Sequence, residues 1–348
     1  MNNRILYLSR LKALACLAVT VLHTFLAANI YSPDINTQSG MMSVRNCMMW
    51  AVPCFVMASG ALLLDNKRVL TTKKLFGKYI LRMAVALVVF SVLFALFDGI
   101  LLKHSSFTTI GKDAFNAIFL GTGWMHMWYI YLLFAIYLML PVYKLISKNA
   151  TAAQLKYLIL IYAAFTSVLP FIETLSGKKI PFYICVFSIY PLYLFLGHVL
   201  HTGVIKLPKR ASGLMFLICL GIIAMLTVYS YTNNADSPEI CNKIFSLLNV
   251  YSFPVYVLTS VGAFGFLRKT KNQPIPVLDT VAAELDNCSF GIYLLHMAVL
   301  RYIFLYMKFN PFEHGGAVTI IGIALLTMVI SYAITKALKF IPYVKKII

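Results

Sequence analysis

Charged residues are scarce in this chain of 348 residues, of which only 12% are charged while 61% are hydrophobic. An ordinary soluble domain is about a quarter charged and about half apolar, so water is not the solvent for most of this protein's surface. Long polar stretches are also missing, because only short polar hinges separate the apolar runs. We therefore predict a single integral membrane domain over residues 1–348.

Acidic residues are the scarcer of the two charge signs, with 11 Asp and Glu against 30 Lys and Arg. Each acidic residue is predicted to fall in a connection or at a helix end, so that no carboxylate lies at mid-membrane. Proton- and sodium-coupled carriers commonly hold the coupling ion with an intramembrane Asp or Glu, so this absence counts against a coupled transporter. A lipid flippase needs no such carboxylate. The paired carboxylates of most glycoside hydrolases are excluded as well.

Several catalytic and metal-binding patterns are also absent. The chain contains no G-x-x-x-x-G-K-[ST], H-E-x-x-H or G-x-S-x-G pattern, so neither an ATPase nor a zinc protease is supported. The 7 cysteines lie mainly inside apolar runs and lack the paired spacings of metal ligands. We predict no disulfide and no metal site.

The apolar residues form runs long enough to cross a bilayer, which takes roughly 20 residues per helix. They predict an all-α, polytopic membrane protein with about ten transmembrane helices, near residues 13–30, 44–64, 79–98, 126–146, 154–171, 183–200, 212–231, 246–266, 288–307 and 317–338.

Basic residues are distributed unevenly between the two sides of this arrangement. Most of them lie in the termini and in the even-numbered connections. The positive-inside rule then places both termini in the cytoplasm. The net charge of +19 is explained by this anchoring and by attraction to anionic lipid, so the lipid bilayer is a predicted partner and nucleic acid is not.

Lys12 and His23 are the first candidates for a functional site, because polar groups inside a bilayer are costly. Their spacing is close to three helical turns, so both side chains project from one face, about 16 Å apart along the axis. A donor could dock its anionic head at the cation while its reactive end reaches the imidazole, which is a natural base near neutral pH. The alternative is that Lys12 anchors the helix and His23 bonds a neighbouring helix.

Two more histidines lie in other predicted helices. His296, in the ninth helix, should lie at a depth similar to that of His23, so the two could converge on one cavity; a packing role is the alternative. His126 begins the fourth helix at the outer interface. The aromatic residues beside it fit an interfacial belt and would also suit stacking against a sugar ring: Trp124, Trp128, Tyr129 and Tyr131.

The second helix carries further candidates. Arg45 precedes it on the outer side, and Pro53 interrupts it before the small pair Ser59 and Gly60. A broken helix is tolerated where protein or a cavity re-satisfies its backbone, so the interruption indicates a cavity wall or a plain structural kink. The next cytoplasmic connection could bind the phosphates of a nucleotide-like donor, or be an ordinary positive-inside loop; its basic residues are Lys67, Arg68, Lys73, Lys74, Lys78 and Arg82.

Taken together, five motifs in order resemble the acyltransferase-3 family of bacterial membrane acyltransferases, which includes O-acetyltransferases of surface polysaccharides. Lys12 and His23 match the family's first motif, in which a basic residue and a His are separated by ten residues. The others are VPCFVMASG at 52–60, HMWY at 126–129, FLGH at 195–198 and SFGIYLLH at 289–296. Two departures concern the donor side. Ser9 stands where members often have Asp, and Lys12 replaces the commoner Arg, which keeps the charge but loses bidentate phosphate binding.

The resemblance implies a membrane O-acyltransferase of the bacterial cytoplasmic membrane. Acetyl-CoA would be the cytoplasmic donor substrate, with no tightly bound cofactor, and a hydroxyl of a cell-surface or lipid-linked glycan would be the acceptor. The alternatives are a transporter or flippase of a glycan precursor, and a transferase of succinyl or another acyl group. The expected site comprises His23 as general base or acyl relay; donor contacts at Lys12, Lys74 and Arg82; cavity groups at Ser59, Tyr293 and His296; and an acceptor side at Arg45, His126 and Trp128.

Overall fold

The computed structural model describes residues 5–65, 70–180, 188–268 and 274–348. Across these ranges the chain is helical and contains no strand, so the all-α prediction is confirmed. Some predicted features lie outside the described residues, namely Lys67, Arg68, Cys185 and the first residues of the segment predicted at 183–200.

The first eight α-helices are α1 Leu6–Ala28, α2 Ile35–Cys47, α3 Ala51–Leu63, α4 Thr72–Lys74, α5 Leu81–Phe97, α6 Phe107–Phe119, α7 Trp128–Asn149 and α8 Ala152–Ala163. The remaining ones in the described ranges are α9 Leu169–Ser176, α10 Tyr190–Thr202, α11 Lys209–Thr232, α12 Pro238–Leu248, α13 Pro254–Arg268, α14 Pro276–Arg301 and α15 Ala317–Leu338. π-Helical turns continue some of them, so that α4 and α5 form one long rod.

Eight helical stretches of the described chain are long and apolar enough to cross a membrane, which makes this a multi-pass membrane protein. They are Leu6–Tyr31, Ile35–Leu63, Thr72–Leu102, Met125–Asn149, Ala152–Ser176, Lys209–Thr232, Pro276–Tyr306 and Ala317–Leu338. The segments predicted at 183–200 and 246–266 contain the shorter helices α10 and α13, of 13 and 15 residues. At 1.5 Å per residue neither reaches across a bilayer core of about 30 Å. The count of ten and the cytoplasmic termini stay predictions.

The interruption predicted around Pro53 lies slightly earlier in the structure. The chain turns at Met48–Trp50, between α2 and α3, and Pro53 lies in the first turn of α3. Proline is well tolerated there, because the first N–H groups of a helix have no intrahelical partner. The break therefore separates the polar helix α2 from the apolar helix α3.

Helix α1 is the central element, packed along α14 and also against α2, α3, α13 and α15. At one end of this helix pair, Arg10 binds Asp279 through hydrogen bonds of 2.5 and 2.9 Å. Close by, the Lys12 ammonium lies 2.5 Å from an Asp286 carboxylate oxygen. These ion pairs fix α1 and α14 side by side in the same direction, so residues near the middle of both helices meet.

The start of α14 corrects one expectation about the acidic residues. The helix begins at Pro276, well before the predicted start at residue 288, so Glu284 and Asp286 lie inside it and not in a connection. The prediction was wrong because it followed the apolar part of the helix alone. The first turns of α14 are polar, yet they continue the same helix toward the ion pairs with α1.

Helices α3 and α10 touch backbone to backbone. A Cβ atom on Gly60 would lie 1.8 Å from the carbonyl oxygen of Leu194, and one on Gly197 would lie 2.0 Å from that of Met57. Small residues permit such close approach where helices pack inside a membrane. The VPCFVMASG and FLGH motifs are therefore packing partners, and their contact holds one wall of the central cavity.

Candidate active site

A cavity of about 180 Å³ lies between α1, α3, α7 and α14. Most of its lining is apolar or aromatic. The polar groups are few and converge on it from separate helices: Lys12, Thr20, His23, Ser59, His126, Tyr129, Tyr137, Tyr251, Ser289, Tyr293 and His296. An apolar cleft with a small number of convergent polar groups is the usual form of a small-molecule site.

His23 and His296 face each other in this cavity from the parallel helices α1 and α14. Their ring centroids are 4.9 Å apart, and Nε2 of His296 lies 3.1 Å from Nδ1 of His23. His296 is fully buried. The structure therefore brings together two imidazoles that are far apart in the sequence, at the same depth of the bundle.

The surrounding carbonyl groups assign the protons on this pair. Nδ1 of His296 lies 3.1 Å from the carbonyl oxygen of Ile292, which can only accept, so in the neutral ring Nδ1 carries the proton and Nε2 the lone pair. His23 Nδ1 then donates to that lone pair, and it also lies 3.0 Å from the carbonyl oxygen of Val19. The lone pair of His23 is left on Nε2, which has no hydrogen-bond partner among the described residues. A positioned imidazole in this form can take a proton from a hydroxyl.

His126 is the third imidazole of the cavity. It lies on the short 3₁₀ turn Met125–Met127 before α7, and its ring centroid is 5.4 Å from that of His296. The Tyr293 hydroxyl donates to the His126 carbonyl oxygen over 2.5 Å, which fixes the turn. The side chain is 1% exposed, yet within the described chain neither ring nitrogen has a hydrogen-bond partner. Buried polar atoms are normally satisfied, so an unpartnered imidazole that lines the cavity is a candidate contact for a ligand.

No metal centre is indicated by the arrangement of these imidazoles. Within the described residues, no set of three or more His, Cys, Asp or Glu side chains is placed to hold a metal ion. The chemistry that the three rings offer as arranged is proton transfer and hydrogen bonding.

Lys12 lines the end of the cavity that the sequence places toward the cytoplasm. Its ammonium is paired with Asp286, and the Ser9 hydroxyl donates to the same carboxylate over 2.8 Å. The carboxylate that family members often carry at the position of Ser9 is thus supplied here by α14. Sequence reasoning missed Asp286, although its position one turn before the SFGIYLLH motif was a usable signal.

The other expected site residues divide into two groups. Ser59, Tyr293 and Trp128 line the cavity together with the histidines, and the Ser59 hydroxyl donates back to the Phe55 carbonyl oxygen over 3.0 Å. Tyr251, just before α13, also lines the cavity and carried no signal in the sequence.

Lys74, Arg82 and Arg45 are not among the described residues that line the cavity. Lys74 is exposed on α4. Arg82 donates to the Ile347 carbonyl oxygen over 2.8 Å and lies 4.9 Å over the ring of Phe290, which is itself part of the lining. Arg45 donates to the side-chain oxygens of Asn46 and Asn249.

Comparison with known proteins gives one match. A family model described as an acyltransferase domain, that of acyltransferase family 3, matches residues 5–336. No curated protein and no solved structure matches the chain.

Proposed function

Since the chain belongs to the acyltransferase-3 family, we propose that this membrane acyltransferase moves an acetyl group from cytoplasmic acetyl-CoA to a hydroxyl of a cell-surface or lipid-linked glycan. The observation that carries the proposal is the free Nε2 of His23, held toward the cavity by the His296 contact behind it. A flippase of a glycan precursor would have no use for an imidazole oriented in this way.

The proposed reaction has His23 as general base. Nε2 takes the proton from the acceptor hydroxyl as that oxygen forms a bond to the acetyl carbonyl carbon. The carbon–sulfur bond of the thioester then breaks, and the coenzyme A thiolate leaves with the proton from the imidazolium. His296 accepts the hydrogen bond of His23 Nδ1–H throughout, so Nδ1 keeps its proton and Nε2 is the nitrogen that takes and returns the proton of the reaction.

The direction of the cavity supports donor and acceptor approaching from opposite sides. Lys12 and His23 lie about three helical turns apart along α1, and the indole of Trp128 and the ring of Tyr251 line the same cavity. The donor would reach His23 from the Lys12 end and the glycan from the aromatic end. In this scheme the Lys12 ammonium, which is held by Asp286, binds the phosphates of coenzyme A as one contact among several.

The proposal is tested by transfer of labelled acetyl. Purified protein in lipid nanodiscs is given acetyl-CoA labelled in the acetyl group, together with a glycan fraction from a strain that lacks the gene. We expect label in the glycan with the wild-type protein and not with empty nanodiscs or with His23→Gln. Label from succinyl-CoA in preference to acetyl-CoA would replace the acetyl donor by another acyl donor, and no transfer from either would refute the proposed reaction.

A further inference from the structure

Arg45 differs from Arg10 and Arg301 in the groups that its side chain contacts. Arg10 binds the carboxylate of Asp279, and Arg301 binds that of Asp98 through contacts of 2.8 to 3.1 Å. Nη1 of Arg45 instead donates to two neutral amide oxygens, 2.5 Å away on Asn46 and 3.1 Å away on Asn249.

The charge of Arg45 is therefore not compensated within the described part of the protein. Its side chain is partly buried, and its Nε is fully buried with no hydrogen-bond partner. A partly buried cation without a counter-charge is unfavourable, because amide oxygens solvate it without neutralising it. An anion beside Arg45 would supply that counter-charge.

The position of Arg45 connects its uncompensated charge to the catalytic cavity. Asn249, which accepts from Arg45, lines a second pocket of about 470 Å³. That pocket also contains Tyr190 and Tyr251, and Tyr251 lines the catalytic cavity as well. The second pocket and the cavity thus meet at Tyr251. Arg45 contacts the second pocket through its hydrogen bond to Asn249.

Three aromatic side chains surround this meeting point. The ring centroid of Trp128 is 6.0 Å from that of Tyr190 and 5.6 Å from that of Tyr251, with the planes tilted by 36° and 32°. The side-chain hydroxyls of Tyr190 and Tyr251 make no hydrogen bond to described residues. A sugar ring has an apolar face of C–H groups and a rim of hydroxyls, so aromatic faces beside unpartnered hydroxyls match its chemistry.

We propose that this second pocket is the acceptor subsite and that Arg45 selects an acceptor sugar bearing a negatively charged substituent, either a carboxylate or a phosphoryl group. The proposal rests on the proposed function, because it takes the ligand of the pocket to be the glycan acceptor. Guanidinium suits this role since both groups bind it through charge-assisted hydrogen bonds. An anionic lipid headgroup has the same chemistry, but the pocket leads to the catalytic cavity, which favours the sugar.

The test measures binding and needs no acetyl donor. Protein in nanodiscs of zwitterionic phosphatidylcholine is titrated with methyl β-glucoside and with methyl β-glucuronide, two probes that differ by one carboxylate, and binding is followed by ligand-observed NMR. We expect the glucuronide to bind about tenfold more tightly, the factor given by one charge-assisted contact. Arg45→Gln, which retains amide hydrogen bonding, should reduce the ratio to about one.

Lys103→Gln serves as the matched control. Like Arg45→Gln, it replaces a cationic side chain by an amide, but at an exposed residue that is paired with Asp113. We expect this variant to leave the ratio of glucuronide to glucoside affinity unchanged. Equal binding of the two probes, failure of both to bind, or a preference that survives Arg45→Gln would overturn the proposal. So would loss of glucuronide binding on adding phosphatidylglycerol, since a headgroup would then occupy the site. Acetyl transfer measured on the same nanodiscs reports separately on the proposed reaction.

Discussion

Helices α1 and α14 meet at two levels, and their polar groups are satisfied differently at each. Near the Lys12 end every charge that joins the two helices is paired, Arg10 with Asp279 and Lys12 with Asp286. At the histidine level Nε2 of His23 has no described partner, although Nδ1 is held. Paired groups of this kind fix the position of a helix, whereas positioned groups with a free atom are available to a ligand.

The strongest test of this contrast is removal of the free nitrogen. In His23→Gln and His23→Ala we expect acetyl transfer to fall by about 10²–10⁴-fold, the usual contribution of a general base. The protein should still insert at near wild-type levels and still bind acetyl-CoA, because the ion pairs at the other level are intact. Near-normal transfer by well-inserted His23→Ala would remove the catalytic assignment, and loss of the protein from the membrane would give His23 a packing role.

His296 should have the next largest effect, because it acts through His23. We expect His296→Leu to lower kcat by about 10- to 100-fold, as is typical when the group that orients a catalytic histidine is removed, with the KM for acetyl-CoA unchanged. His296→Gln can present an amide oxygen to His23 Nδ1 and should recover part of kcat. Equal loss in both variants would show that the ring is needed for packing and not as an acceptor.

The paired level can be broken separately. Asp279→Leu leaves the buried guanidinium of Arg10 without its carboxylate, so we expect several-fold less folded protein in the membrane. The double variant Arg10→Met, Asp279→Leu removes both charges and should recover much of that loss. Quantitative blotting of the membrane fraction measures both. A double variant that is as poor as the single one would contradict the role of the pair as a neutralised contact.

Lys12 is expected to show the smallest effect on the catalytic step, because it is paired with Asp286 and lines the cavity away from His23. Lys12→Ala should raise the KM for acetyl-CoA by about tenfold, which corresponds to loss of one charge-assisted contact, while Lys12→Arg keeps most of the activity. Asp286→Asn leaves the ammonium without its counter-charge and should not raise KM. If steady-state kinetics show an unchanged KM in Lys12→Ala, Lys12 is an anchor that holds α1 to α14.

The membrane class and the helical repeat could be predicted without the structure. Composition alone predicts that most of the surface faces lipid, and in a bilayer the backbone must then be satisfied inside helices. The spacing of Lys12 and His23 places both on one face of α1, and both line the cavity. The helical ends were less predictable, because the polar first turns of α14 resemble a connection.

What the sequence by itself determined is which side chains share a helix face, since the 3.6-residue repeat is a local property. Only the tertiary structure decided which faces meet. It places His296 against Nδ1 of His23, gives Lys12 the carboxylate of Asp286, and leaves Arg45 with amide oxygens alone. Apart from Asn46, which follows Arg45 in α2, these partners come from distant parts of the chain. Their contacts follow from how the helices pack, as with the backbone contact at Gly60 and Gly197.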